Sequence, residues 1–285
     1  MEAFIQGSAW LSPIGLRTEI NRSHVPSSPY ITIESLNLLN PIQLPRIPDI
    51  AKACIAAVQE AIHDAGLSDL SLSGVPERAG LVVGNNLSSL FSIEALQKDA
   101  EKYGPNRVNP AIFPNTVYNS LAGYISMYTN IKGTNTTLSG GAGTVPAAIL
   151  YALQLLQQGR HDRVIVCNVH LIPPEHRIES ELLLKSVQSS DQYLEERITV
   201  LLIERPGVSA RQTYSIHGQL KISPIGPAAS LTTESEDMDL VLIKYGQDKG
   251  GLDACEANGC LPNRDILQLK LEKKDDERKK EAERI

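Results

Sequence analysis

Four cysteines, Cys54, Cys167, Cys255 and Cys260, and six histidines are the side chains with which this chain could do covalent or acid–base chemistry. Nucleophilic catalysis needs a Cys, Ser or Thr beside a base, and metal binding needs closely spaced Cys and His. The cysteines follow neither zinc spacing nor a disulfide framework, and only Cys255 and Cys260 lie close together, so reduced thiols are expected. Cys167 sits in an apolar run and reads as a small buried residue. His24, His63, His161 and His176 fall in loops or on helix faces, where they are expected to be solvated. His170 ends one strand-like run and His217 follows another, with no Cys, Ser or Asp partner implied by spacing. The densest candidate is the turn Gly140-Gly141-Ala142-Gly143, flanked by Ser139 and Thr144. Its glycines make a sharp corner cheap, and a helix N-terminus behind it is able to hold an anion. A phosphate- or nucleotide-binding module is therefore one reading, although no Gly-Lys-Ser/Thr follows. Ser139 and Thr144 are read as hydrogen-bonding the corner rather than as nucleophiles. No cofactor or metal motif stands out, and none is expected.

The elements that position this corner follow from periodicity. Thr134, Thr136 and Thr137 favour a strand leading in. Thr144 reads as an N-cap and Pro146 suits the first turn of a helix over 144–158 that Gly159 stops. That helix is apolar on nearly every side until Gln154, which predicts burial between layers. Upstream, Phe4–Leu11 reads as a first strand. Five prolines, Pro26, Pro29, Pro41, Pro45 and Pro48, make 22–48 irregular. A helix then opens at Pro48-Asp49, with Ile50, Cys54, Val58, Ile62 and Ala65 recurring every four residues, and ends at Gly66. Arg78–Gly84, Arg163–Val169 and Ile198–Glu204 read as buried strands, and 210–226 as a further one. The charge-dense Lys270–Arg284 reads as a solvated helix or disordered tail.

Composition narrows the classes. A chain of 285 residues with 42% apolar content holds a substantial core, as one large domain or two small ones. The net charge of −6 argues against nucleic-acid binding. No apolar run approaches the ~20 residues needed to span a bilayer. The opening Met-Glu-Ala-Phe lacks a signal-peptide pattern, so a cytoplasmic chain is expected.

Several segments, taken in order, resemble the β-ketoacyl synthases, enzymes of the thiolase fold. Ala57–Leu67 and Arg78–Gly84 are similar to a helix and strand of that family. Ile112-Phe-Pro-Asn-Thr-Val-Tyr-Asn-Ser-Leu-Ala-Gly-Tyr-Ile-Ser126 is the most specific match, and Gly133–Thr144 is similar to the family's nucleophile elbow. The resemblance implies an α/β, thiolase-like layered fold with helices around a mixed β-sheet. It divides the chain into a ketosynthase N-terminal-like domain, 1–230, and a reduced C-terminal segment, 231–285, that stands for a truncated or degenerate second half. Aligning Gly133 with the family glycine places Ala142 where the family carries its acyl-bearing cysteine. Tyr245 falls where a catalytic histidine belongs, and the second histidine motif is absent. A methyl group forms no thioester. The resemblance therefore implies a non-catalytic, chain-length-factor-like subunit that pairs with an active ketosynthase as a heterodimer, with acyl carrier protein as a further partner, in polyketide, polyene or fatty-acid biosynthesis. Phe113, Asn115, Thr116 and Tyr118 would line the acyl tunnel or interface. Thr134 and Thr136 would belong to a strand pairing across the two-fold axis. The alternative within the family is a residual malonyl-thioester decarboxylase acting without an acyl-enzyme.

Overall fold

The computed structural model describes residues 1–13, 15–17, 30–32, 47–68, 76–178, 196–209, 214–221, 236–237, 254–260 and 266–273. At 76, 142, 214, 217, 220–221, 236–237, 254–260, 266–269 and 271–273 it describes the backbone alone. Most of 22–48 lies outside the described residues, as does Tyr245.

The strands are β1 (Glu2–Ser12), β2 (Gly15–Arg17), β3 (Ala79–Asn85), β4 (Asn135–Leu138), β5 (Arg163–His170), β6 (Arg197–Glu204), β7 (Tyr214–Lys221), β8 (Glu236–Asp237), β9 (Ala254–Cys260) and β10 (Ile266–Lys273). The helices are α1 (Asp49–Asp64), α2 (Ser89–Tyr103), α3 (Ser120–Thr129) and α4 (Thr144–Gln157). Among the described residues the strands form one sheet in the order β4-β3-β5-β6-β1-β7-β10-β9-β8, with β2 paired to β1. The sheet is mixed: β3 runs parallel to β4 and β5, and β6, β1, β7 and β10 continue antiparallel.

Side chains of the central strands alternate between two cores, as the period of two demands. Leu81, Val83, Ile165, Cys167, Val200 and Leu202 face α1 and α3 on one side. Val82, Val164, Val166, Leu201 and Ile203 face α4 on the other. Helix α1 buries Ile50, Cys54, Val58 and Ile62 of the predicted stripe, and Ala65, its last member, is the half-buried C-cap. It lies so close to β1 that a Cβ on Gly7 would collide with the Ala61 carbonyl. Gly7 also marks an irregularity in the pairing of β1 with β6.

The burial expected for the 144–158 helix has a specific origin. One side of α4 packs Ala148, Ile149, Ala152, Leu153 and Leu156 onto the sheet. At the far end of the strand order, β9 comes back against α4 and the Gly141–Gly143 turn, so the helix lies between two parts of one sheet.

The start of the charged run, residues 270–273, differs from its sequence reading, while 274–284 lie outside the described residues. Residues 266–273 form β10, paired with β7 from Ile266↔Lys221 to Lys273↔Tyr214 and with β9 on its other side. Apolar Leu267, Leu269 and Leu271 alternate with Gln268, Lys270 and Glu272, a strand period that the local charge density had masked.

Candidate functional site

The site is built at the C-terminal ends of β3 and β4, where the chain turns into α2 and α4. Strand β3 is buried throughout and ends in Asn85, followed by Asn86. Gly84 permits the close passage of neighbouring strands here: a Cβ would meet the Asn168 side chain and, at 2.9 Å, the Thr144 methyl.

Asn86 organises the corner. Its Oδ1 accepts from the Thr144 hydroxyl at 2.7 Å, from the Gly141 N–H at 3.2 Å, and from the Gly140 N–H and Ser139 hydroxyl at 3.3 Å. Its Nδ2 donates to the Gly141 carbonyl at 2.9 Å. The Gly140 N–H also donates to Thr144 Oγ1 at 2.8 Å. Gly141 takes φ +59°, the left-handed region that favours glycine. Residues Gly141–Gly143 make one tight helical turn, so Ala142 stands directly before α4. Ser139 and Thr144 bond within the corner, as the sequence suggested. Thr144 is not the cap, however. Gly143 holds that position and, having no side chain, makes no capping bond, while the Thr144 hydroxyl bonds to Asn86 and Gly140.

Asn85 fixes the second part of the site. Its Nδ2 donates to the Tyr118 carbonyl at 3.1 Å, and its Oδ1 accepts from the Ser88 N–H and hydroxyl. The Phe113–Asn115 stretch is a single tight turn, and α3 follows with Asn119 at its cap. Asn115 Oδ1 accepts from the Tyr124 hydroxyl at 2.9 Å, and Thr116 Oγ1 donates to the Phe113 carbonyl at 2.8 Å. Phe113 is 65% exposed, Met127 67%, and Val117, Tyr118 and Tyr128 are exposed beside them. From Val108 to Gly159 the chain contains one charged side chain, Lys132, and no histidine. A span this long without charge, carrying exposed aromatic and Met side chains, has the composition of a covered surface.

Strand β4 lies at the end of the strand order and pairs only with β3 among the described residues. Thr136 pairs with Val82, and Thr134 precedes the strand, its carbonyl accepting from the Leu81 N–H at 2.7 Å. The Thr134 hydroxyl meets His161 Nε2 at 2.7 Å. His161 is only 4% exposed, contrary to the solvated position expected for it, because the Gly133 and Gly80 backbones close over its ring. Burial, above all, pushes its pKa below the usual imidazole value. His63 is exposed, and His176 reaches Glu94 at 3.1 Å. His170 closes β5, and His217 lies in β7 opposite Glu2. No group of three potential metal ligands occurs among the described residues.

Residues 37–186, more than half of the chain, match the family model of the β-ketoacyl synthase N-terminal domain. The chain belongs to the β-ketoacyl synthase family. It is 28% identical over 111 residues to 3-oxoacyl-[acyl-carrier-protein] synthase 2 of Vibrio harveyi, covering 39% of this chain and 26% of that one. It is 29% identical over 118 residues to 3-oxoacyl-[acyl-carrier-protein] synthase 1 of Haemophilus influenzae, covering 41% and 28%. These matches thus span about a quarter of the curated relatives. The fold is similar to that of the ishigamide ketosynthase/chain length factor, with a TM-score of 0.65 at 15% identity over 96% of this chain and 100% of the other. A β-ketoacyl synthase from Burkholderia phymatum gives 0.63 at 11% identity, again over 96% and 100%. The mixed sheet with helices on its faces is therefore the thiolase-like fold of a ketosynthase-like protein.

Asn85 and Asn86 were not singled out from the sequence. Two asparagines directly after a buried strand and its exit glycine were the available signal, since such residues bond to nearby backbone at strand exits. No helix of the described residues is long and apolar enough to cross a membrane.

Proposed function

We propose that this chain is a non-catalytic, chain-length-factor-like subunit that pairs with an active β-ketoacyl synthase and shapes its acyl tunnel. The observation that carries the reading is the outer side of β4, unpaired among the described residues, next to an exposed apolar surface almost free of charge. An open strand edge with no lysine or proline to blunt it invites pairing with another chain. Ala142 supports the non-catalytic part: it stands in the turn before α4, where alignment with the family puts the nucleophile, and it has no group to acylate. The same reading assigns Phe113, Asn115, Thr116 and Tyr118 to the tunnel or interface, and keeps 1–230 and 231–285 as ketosynthase-like and reduced parts. One solved neighbour is described as a type II polyketide acyl carrier protein in complex with its ketosynthase, at a TM-score of 0.62 and 12% identity. Acyl carrier protein is by that analogy the substrate-bearing partner of the assembly proposed here, in the cytoplasm.

The test is co-expression with candidate ketosynthases followed by light scattering. A stable one-to-one complex whose product length changes when Phe113 or Tyr118 is altered is the expected result. A well-behaved monomer indifferent to every ketosynthase overturns the reading.

A further inference from the structure

His161 lies between the end of α4 and the start of β5, and its ring is buried against the junction of β3 and β4. Two glycines admit it. A Cβ on Gly80 would stand 3.3 Å from one edge of the ring, and a Cβ on Gly133 only 2.7 Å from another. The Thr134 hydroxyl lies 2.7 Å from Nε2, and the Thr134 backbone N–H donates to the same atom at 3.4 Å. A backbone N–H can only donate, so Nε2 must accept. The imidazole is therefore neutral, with its proton on Nδ1.

Thr134 ties β4 to β3 at this end. Its carbonyl accepts from the Leu81 N–H at 2.7 Å, and the preceding Gly133 N–H donates to the Ala79 carbonyl at 3.1 Å. Strand β4 is four residues long and has no outer neighbour among the described residues. Short edges of this kind open at lower free energy than the strands inside a sheet. Protonation of the ring would place an N–H on Nε2 directly opposite the Thr134 N–H. Two donors cannot bond, and a charge would be buried with them.

The neighbouring charges give the imidazolium no relief. Burial foremost, with the Arg78 and Arg160 guanidinium groups, disfavours the charged ring, against the pull of the Glu77 carbonyl. Asp162 is taken by Arg78 and Arg205, and Arg163, at the start of β5, is bound to Glu204. The Glu77 and Lys132 side chains, ahead of β3 and β4, are exposed.

We propose that His161 is a pH-operated latch: neutral, it holds Thr134 and keeps β4 on β3; protonated, it releases Thr134 and lets β4 open. Acid then also dismantles any pairing at the β4 edge, a consequence that rests on the function proposed above.

Two readouts on the full chain test the latch without a partner. Nitrogen-15 shifts of the His161 imidazole at pH 7.5 should show the proton on Nδ1 and a bare Nε2. Amide hydrogen exchange, corrected for its intrinsic pH dependence, should accelerate at Leu81 and Gly133 between pH 7.5 and pH 5. Below the ordinary imidazole value of 6.5 each pH unit favours the protonated open form by up to about tenfold, so an acceleration of roughly five- to thirtyfold is expected. Val82, whose N–H alternates to the β5 side, should keep its rate. Asp162 stays charged at pH 5, since Arg78 foremost holds its carboxyl far below the usual range, so its ion pairs do not contribute. His161→Gln offers Thr134 an acceptor that does not titrate, and should exchange equally at both pH values. A proton on Nε2, exchange at Leu81 and Gly133 unchanged within twofold, or the same acceleration in folded His161→Gln overturns the proposal. A chain that binds no ketosynthase at either pH refutes the pairing and leaves the latch standing, whereas a failed latch leaves the pairing untouched.

Discussion

The Asn86 side-chain carbonyl accepts a hydrogen bond from the Thr144 hydroxyl at 2.7 Å, across 58 residues of sequence. The bond joins the exit of β3 to the first residue of α4, and the remaining contacts of Asn86 hold Ser139, Gly140 and Gly141 around it. One uncharged side chain therefore fixes the backbone of the corner before α4.

Asn86→Ala should destabilise the fold by roughly 2–4 kcal/mol, because the corner donors lose their acceptor and neutral bonds contribute about 1 kcal/mol each, more when a donor is left unmet. Urea unfolding followed by circular dichroism measures it. A variant as stable as the parent would mean that the corner closes without Asn86.

The same bonds bear on the phosphate-binding alternative. The Gly140 and Gly141 N–H groups that would cradle an anion are already engaged by Asn86 and Thr144. Titration with inorganic phosphate or ATP is expected to give no saturable heat. A micromolar site abolished by Gly141→Ala would restore the nucleotide reading.

Ala142→Cys should fail to give ketoacyl product from the isolated chain, and the unaltered chain should form no acyl adduct with acyl-carrier-protein thioesters. Catalytic groups that act as a unit do not return singly. Intact-mass spectrometry and product analysis decide both points. Condensation by the single variant would locate histidines that the sequence alignment missed.

Proline substitutions in β4 should separate assembly from folding. Thr134 turns its carbonyl to Leu81 of β3. Backbone groups alternate sides along a strand, so Thr136 also faces β3 whereas Asn135 and Thr137 direct theirs to the open side. Thr137→Pro removes only the outward donor and should abolish partner binding with a small loss of stability. Thr136→Pro removes a ladder bond to β3 and should unfold the corner as well. Partner binding that survives Thr137→Pro, read by light scattering, would exclude strand pairing at this edge.

Stability should fall in two steps on acidification. Burial lowers the pKa of His161, so the unfolded chain takes up a proton near pH 6.5 that the native chain still refuses. The His161 contribution is complete above about pH 6.5 and is lost as pH falls below it. Asp162 behaves as a paired carboxylate. The Arg78 guanidinium foremost, with Arg205, holds its carboxyl far below the usual range, so its contribution is present above about pH 4 and is lost below that. His161→Gln should remove the first step and leave the second. Thermal melts from pH 7.5 to 3 test it, and an unaltered first step would assign that step to another group.

Much of the fold was legible in the chain because its signals are local. Ile50, Cys54, Val58 and Ile62 carry a helical period that needs no partner to be read, and α1 buries these residues. The apolar run in β5 announced a strand covered on both faces, and the structure buries it from Arg163 to Val169. The corner was visible as glycines at 140, 141 and 143 between a threonine-rich strand and an apolar helix. Residues 270–273 were misjudged because Lys270 and Glu272 raise the charge density of a segment whose pairing with β7 is a long-range property.

The sequence by itself determined the helix at 49–64, the strands at 79–85, 163–170 and 197–204, the sharp turn before α4, and the absence of a thiol or hydroxyl at residue 142. Each of these is set by residue type within a few positions. Only the tertiary structure decided that His161 is buried against Thr134, that Asn86 and not the helix cap closes the corner, and that β4 ends the sheet among the described residues. These depend on which distant segments meet: a histidine is solvated or desolvated by backbone far from it in the chain, and an edge strand is an edge only once every other strand has found its neighbour.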